Sequence, residues 1–385
     1  MADVTNYIDR LVAELCPDGV EYRPLGELLA YEQPTKYLVS SKDYDESYPT
    51  PVLTAGKTFI LGYTNETEGI YPASEGEPVI IFDDFTTAFK WVEFPFKAKS
   101  SAMKMLTLKS GTNSLFKYVY YAMQCIVYNS SDHARQWISK YSNIEIPVPP
   151  VEIQEAIVEI LDKFTNLEAE LEAELEARTL QYEYYRDSLF EALDCPRVPL
   201  GSLGVRNKGI AITASKMRTL EPGNKDVRIF AAGSTFVDTD SSFIPAKGIL
   251  EGPAIIVKSR GHIGFEYYEG KFTHKNELWS YSLTSDLVEQ KFIYYYLLTQ
   301  AYHLHELARG KSVKLPQLAV KDTDELLVPL PSLEEQQRIV DILDRFDALT
   351  SSLSEGLPAE LAARRSQYEY YRDQLLTFPR KGENQ

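Results

Sequence analysis

The chain has 385 residues, 44% of them apolar, and a formal net charge of −16; this excludes a disordered or fibrous polymer and leaves room for two globular domains with connecting elements. Its three cysteines, Cys16, Cys125 and Cys195, show neither metal-ligand nor disulfide-framework spacing, and no apolar run approaches membrane-spanning length. Met1-Ala2-Asp3 is acidic where a secretory signal would be basic, so a soluble cytoplasmic protein is expected.

In chain order, a short helix is predicted over 1–20. A mixed α/β segment follows over 21–147, with strands at 78–82 and 104–108 and an aromatic helix at 114–128. Residues 148–194 read as one long helix. Ile153, Ile157, Ile160, Phe164, Leu167 and Leu171 alternate steps of four and three, a heptad seam; Leu175 adds a stutter, and Tyr182, Tyr185 and Leu189 resume the seam. Unbroken, it would span about 60 Å. A second α/β segment covers 195–329, with strands at 253–258 and 278–283 and an aromatic helix at 286–308, and a second helical block covers 330–378 before a tail, 379–385. Gly356 and Pro358 predict a break in that last block. Within the first helix, Leu167-Glu168-Ala169-Glu170, Leu171-Glu172-Ala173-Glu174 and Leu175-Glu176-Ala177-Arg178 repeat one tetrad. They read either as a solvated helix of good propensity or as a ruler adding about 6 Å per tetrad.

The chain is internally duplicated. Gln181-Tyr182-Glu183-Tyr184-Tyr185-Arg186-Asp187 recurs unaltered at residues 367–373, and Pro147 to Phe164 matches Pro329 to Phe346 at ten of eighteen positions, including Pro149/Pro331, Gln154/Gln336, Ile157/Ile339 and Asp162/Asp344. Fainter matches at offsets of 174 to 177 extend the duplication into the α/β segments, yet residues 57–101 and 234–276 hardly agree. Two like scaffolds thus carry two different surfaces. The acidity belongs to the helices: 148–194 holds thirteen acidic against three basic residues, while the α/β segments together are neutral. A local basic face on either segment could still neutralise phosphates.

Catalytic patterns fail one by one. Gly56-Lys57-Thr58 and Gly310-Lys311-Ser312 resemble the end of a phosphate loop, but Pro51 and His305 stand where its first glycine is required. His303 and His305 fall on different helix faces. Glu269-Gly270-Lys271 with Asp238 or Asp240 could be drawn as a metal-nuclease site only from residue types that recur by chance. Pro149-Pro150 lacks the flanking residues of an adenine-methyltransferase loop. No catalytic residue, metal site or cofactor of its own is expected.

The arrangement resembles the specificity subunits of type I restriction-modification systems. The resemblance rests on Pro147-Val148-Pro149-Pro150-Val151-Glu152-Ile153-Gln154, Val328-Pro329-Leu330-Pro331-Ser332-Leu333-Glu334-Glu335-Gln336, Gly310-Lys311-Ser312-Val313-Lys314-Leu315-Pro316 and Lys258-Ser259-Arg260-Gly261-His262-Ile263-Gly264, and it covers essentially the whole chain. The first domain departs from the last of these, with Phe82-Asp83-Asp84-Phe85-Thr86-Thr87 instead. The tetrads resemble spacer repeats of some members. The resemblance implies a mixed α/β fold of two target-recognition domains, 21–147 and 195–329, alternating with two long helices in an antiparallel coiled coil with pseudo-twofold symmetry. It implies double-stranded DNA read as a bipartite asymmetric site, and two modification subunits that bind S-adenosylmethionine. It further implies motor-nuclease subunits using ATP and Mg²⁺.

Side chains able to reach base edges or phosphates are, in the first domain, Lys57, Thr58, Asn65, Thr86, Thr87, Lys90, Lys99 and Ser101. In the second they are Ser234, Thr235, Lys258, Ser259, Arg260, His262, His274, Lys275 and Asn276. The duplicated Tyr182, Tyr185, Arg186, Tyr368, Tyr371 and Arg372 are candidates for packing together or gripping two copies of one partner. Two rival classes are a DNA-binding scaffold and a detached specificity half of a fused nuclease or methyltransferase.

Overall fold

The computed structural model describes residues 2–56, 58–128, 134–220, 225–310, 315–352 and 356–382. The chain forms two compact units, Met1–Glu170 with Leu361–Gln385, and Leu171–Glu360.

The first unit opens with α1 (Ala2–Leu15), β1 (Glu21–Pro24), the one-turn α2 (Leu25–Leu28), β2 (Leu29–Glu32), β3 (Thr50–Leu53) and β4 (Ile60–Thr64). It continues through β5 (Val79–Asp83), β6 (Phe89–Val92), β7 (Lys97–Ala98), β8 (Met103–Leu108), α3 (Phe116–Gln124) and β9 (Glu145–Val148) into α4 (Val151–Glu191). An antiparallel sheet runs β2-β8-β5-β6, a smaller one runs β4-β3-β7 with β3 and β7 parallel, and β1 pairs with β9. Val79-Ile80-Ile81-Phe82 is apolar throughout because both of its faces are covered. Ile80 and Phe82 join the core shared with α3 and α4, whereas Val79 and Ile81 join a second core between the sheets.

The second unit repeats this plan. It contains β10 (Arg197–Pro199), β11 (Gly204–Lys208), α5 (Ala214–Arg218), β12 (Val227–Phe230), β13 (Phe236–Thr239), β14 (Leu250–Glu251), β15 (Ala254–Lys258), β16 (Gly264–Tyr268), β17 (Lys271–His274) and β18 (Trp279–Leu283). Then follow α6 (Gln290–Gly310), α7 (Val320–Asp324), β19 (Leu327–Pro329) and α8 (Leu333–Thr350). Its sheets are β11-β18-β15-β16 and β13-β12-β17-β14, the latter with β12 and β17 parallel, and β10 pairs with β19. Ile255 and Val257 face one core, Ala254 and Ile256 the other. The last helix, α9 (Gly356–Leu375), begins at a glycine with φ +78°, after α8 has ended at Thr350; the break predicted at Gly356 is present.

The residues shared by the duplicated blocks fasten each helix to its own domain. Gln154 is fully buried: its Oε1 accepts from the Leu115 N–H (2.9 Å) and its Nε2 donates to the carbonyls of Pro149 (2.7 Å) and Asn113 (3.3 Å). Gln336 does the same with the Glu289 N–H (2.8 Å) and the carbonyls of Pro331 and Leu287 (both 2.9 Å). Asp162 accepts from the Tyr121 hydroxyl, and Asp344 from Tyr295 and from Lys291 Nζ (2.7 Å). Ile153, Ile157 and Leu161 are fully buried in the first core, so the docking stripe steps by four and uses Leu161, where the heptad reading placed Ile160.

Each heptapeptide packs on the Phe that ends the other duplicated block. In the first unit Tyr368 and Tyr371 lie 6.4 and 5.7 Å from Phe164, ring to ring, while Arg365 Nε reaches Glu168 at 2.6 Å, so α9 runs antiparallel to α4 there. In the second, Tyr182 and Tyr185 lie 6.4 and 5.8 Å from Phe346. Between these contacts Leu171 and Leu175 are only half-buried and Leu167 is exposed.

Candidate nucleic-acid interface

Three turns converge at one end of each domain. In the first, the turn after β3 is closed by Thr54 N–H to Phe59 O (2.9 Å), the turn after β5 by Asp83 N–H to Ala88 O (2.8 Å), and the turn after β7 by Met103 N–H to Ser100 O (3.1 Å). Lys99 N–H to Leu53 O (3.0 Å) and Asp84 N–H to Ala102 O (3.0 Å) tie the third turn to the other two. In the second domain Ala231 N–H to Thr235 O closes the first turn (2.9 Å), and Leu278 N–H to Lys275 O closes the third (2.9 Å). Lys275 N–H to Phe230 O (3.0 Å) repeats the Lys99 bond, and Ser259 Oγ donates to Glu277 O. The middle turns share one more anchor. Gln136 N–H donates to Asp84 O, and Leu318 N–H to Ser259 O, both at 2.8 Å.

These clusters gather many of the candidates named above. Thr58, Thr86 and Ser101 are exposed on the three turns of the first domain, with Thr87 and Lys99 half-buried beside them; Lys99 Nζ donates to the Tyr44 hydroxyl at 2.7 Å. Lys57 lies outside the described residues. Lys90 is exposed on β6, two residues past the middle turn. Asn65 follows β4 and sits at the far end of the β3–β4 hairpin, away from the turns. In the second domain Ser234, Thr235, Arg260, His262 and Asn276 are exposed on the corresponding turns. Lys275 is mostly covered and pairs with Glu277.

Three candidates are interior and cannot meet a ligand. Lys258 is 5% exposed: its Nζ bonds Glu266 (3.0 Å) and the Ala231 carbonyl (3.2 Å) and lies over the Phe230 ring, linking two turns from beneath. Ser259 is spent on Glu277 O. His274 is fully buried, with Nε2 3.2 Å from Ser280 Oγ, and burial pushes its pKa below the usual imidazole value. A lysine or histidine in a variable segment reads as surface because burial of such groups depends on partners remote in sequence. Sequence reasoning also missed two exposed aromatics, Phe85 on the middle turn of the first domain and Phe236 at the start of β13. A lone Phe between Asp84 and Thr86 was the available signal.

On the helices, Tyr182 is 8% exposed, and Arg186 and Arg372 lie over the rings of Tyr182 and Tyr368 and pair with Asp187 and Asp373. Tyr368 donates to Gln124 Oε1 at 2.6 Å. The duplicated motif therefore first serves packing within each unit, while Tyr184, Tyr185 and Tyr370 remain open to solvent.

The acidic residues once drawn as a nuclease site do not assemble: Asp238 is clamped by Arg228 at 2.7 and 2.9 Å, which holds its carboxyl below the usual range, and Glu269 accepts from Tyr267 at 2.8 Å. Among the described residues no group of three His, Cys, Asp or Glu is arranged to hold a metal ion. No described helix is long and apolar enough to cross a membrane. Residues 311–314 of the second glycine-lysine motif lie outside the described residues.

Comparison with known proteins gives these turns a context. A family model of the type I restriction modification DNA specificity domain matches residues 17–177 and again residues 205–363. The chain belongs to this specificity family. Its relatives include the type I restriction enzyme EcoR124I/EcoR124II specificity subunit of Escherichia coli, 43% identical over 97% of this chain and 98% of that one. Another is a type I specificity subunit described as putative from Haemophilus influenzae, 27% identical over 93% and 96%. The crystal structure of the S subunit of a type I restriction-modification system from M. genitalium shares the fold, with a TM-score of 0.56 at 17% identity over 93% and 96% of the two chains. The chain is thus a type I specificity subunit with two recognition domains, one in each copy of the duplicated fold.

Proposed function

We propose that this specificity subunit reads an asymmetric bipartite DNA site, one half through the turns bearing Thr58, Thr86, Thr87, Lys90, Lys99 and Ser101, the other through those bearing Ser234, Thr235, Arg260, His262, Lys275 and Asn276. The observation that carries this reading is the pair of turn clusters, held by matching backbone hydrogen bonds yet bearing different side chains throughout the middle turn, Phe85, Thr86 and Thr87 against Arg260, Gly261 and His262. A fixed frame with exchangeable tips is what direct readout of two unlike sequences requires. Lys90 and Lys99 would neutralise phosphates.

The subunit itself neither methylates nor cuts. Two modification subunits dock on its helices, at the exposed Tyr184 and Tyr185 and at Tyr370, and bring S-adenosylmethionine; restriction subunits bring ATP and Mg²⁺. Assembly takes place in the cytoplasm. The test is domain exchange. Replacing residues 21–147 by the first domain of a relative should change one half of the motif found by methylome sequencing and leave the other half and the spacer intact. A change in both halves refutes independent reading. Methyl transfer by the isolated chain would refute the assignment of chemistry to partners.

A further inference from the structure

The middle turns of the two clusters are equivalent at their first two positions. Strands β5 and β15 are both five residues long, and the carbonyls of the residues that follow them, Asp84 and Ser259, accept the same backbone bond at 2.8 Å; the return sides differ by one residue, Asp83 bonding Ala88 where Lys258 pairs with Gly264. Asp84 and Ser259 are buried at the first position of each turn, while Phe85 and Arg260 are exposed at the second.

Phe85 is 41% exposed, and the turn beneath it is held from three sides. Asp83 Oδ1 accepts from the N–H groups of Phe85 (2.9 Å) and Thr86 (2.8 Å). Asp84 Oδ1 accepts from the Trp137 N–H (2.8 Å), and its Oδ2 lies 3.0 Å from Lys104 Nζ, an ion pair with both partners fully buried. Thr87 holds φ +57°, a left-handed conformation costing a non-glycine residue about 1 kcal/mol. A single exposed phenylalanine is ordinary. One presented on a turn fixed by a buried ion pair and a strained residue is preorganised to meet a partner.

We propose that Phe85 and Arg260 are the base-selecting residues of the two half-sites: Phe85 makes apolar contact with a thymine methyl group, and Arg260 donates paired hydrogen bonds to N7 and O6 of a guanine. The inference rests on the proposed reading of DNA by these turns. Apolar side chains recognise the thymine methyl and arginine recognises guanine in the major groove, so equivalent positions read opposite chemistries. That makes the bipartite target asymmetric.

The test uses the full chain assembled with its modification subunits and duplexes carrying the site found by methylome sequencing. Thymines are replaced singly by uracil, which lacks the methyl, and guanines by 7-deazaguanine, which lacks N7. For the wild-type complex, uracil at one position of one half-site should weaken binding about four-fold, the worth of one buried methyl. In the other half, 7-deazaguanine should weaken it about ten-fold. Phe85→Ala should erase the uracil effect alone, Phe85→Leu should retain part of it, and Arg260→Ala should erase the 7-deazaguanine effect alone; thermal melts confirm that each variant folds. Wild-type indifference to uracil throughout, or a Phe85→Ala complex that still discriminates, overturns the proposal while leaving bipartite reading intact. Absence of any defined bipartite site for the wild-type complex overturns both.

Discussion

Substituting Gln154 by alanine isolates the fastening between the first domain and its helix. The side chain is fully buried, and its removal leaves the Leu115 N–H and the carbonyls of Pro149 and Asn113 without this partner. At about 1 kcal/mol net for each lost bond, the cost is about 2–3 kcal/mol. In urea, with a slope of about 2–3 kcal/mol per molar, the midpoint should fall by about 1 M. Gln336→Ala should cost a similar amount, because its three bonds lie between 2.8 and 2.9 Å. The two glutamines share no partner, so the effects should add, and each should fall on its own unit when unfolding is followed by residue-resolved hydrogen exchange. Gln154→Glu sharpens the test. A carboxylate facing two carbonyls is disfavoured when charged, so its folded pKa lies above the unfolded value, and this variant should regain stability as pH falls. A loss below about 0.5 kcal/mol for either alanine variant, or equal loss of protection in both units, would refute the fastening role.

Burial holds the folded pKa of His274 below its unfolded value near 6.5. Stability of the second unit should therefore be full above that pH and decline below it by at most about 1.4 kcal/mol per pH unit. His274→Gln should flatten that slope in urea titrations between about pH 5 and about pH 7. Tyr184→Ala with Tyr370→Ala should weaken assembly with modification subunits by about 2–4 kcal/mol and leave the melting temperature unmoved, whereas Tyr182→Ala with Tyr368→Ala should lower melting, as ring packing requires; calorimetry and pull-down separate the two. Deleting Leu171-Glu172-Ala173-Glu174 shortens α4 by about 6 Å and turns its downstream part by about 40°, while Leu175 takes the place of Leu171. The methylome should show the same half-sites with a spacer shortened by one or two base pairs, about 3.4 Å each; an unaltered spacer would reduce the tetrads to a solvated helix face.

The duplication was legible because the duplicated residues do the same work twice. Gln154 and Gln336 are retained with Pro149 and Pro331 since each glutamine bonds the carbonyl of that proline. Strands expected at 78–82, 104–108, 253–258 and 278–283 fall within a residue or so of β5, β8, β15 and β18, which are central in their sheets and place side chains in the core. The short strands β2, β3, β6 and β7 escaped notice, since two to four residues carry too little periodicity to distinguish a strand from a loop. The candidate interface was legible in outline only. Sequence variability marked the segments, but whether Lys258 or Arg260 points outward depends on Glu266 and the Ala231 carbonyl, partners that no local pattern announces.

The first unit is completed by residues from the other end of the chain, since Phe164 is covered by Tyr368 and Tyr371, whereas the second unit is continuous. This separates the two in time. On the ribosome, residues 171–360 can close their core once they have emerged, while the first unit, although made earlier, must wait for α9. During that interval Phe164 and its neighbours on α4 stay open to solvent and to chaperones. At a synthesis rate of about 5–20 residues per second the delay is about ten seconds or more, and a product that terminates before Leu361 would hold a finished second domain beside a first one marked for removal by its uncovered helix.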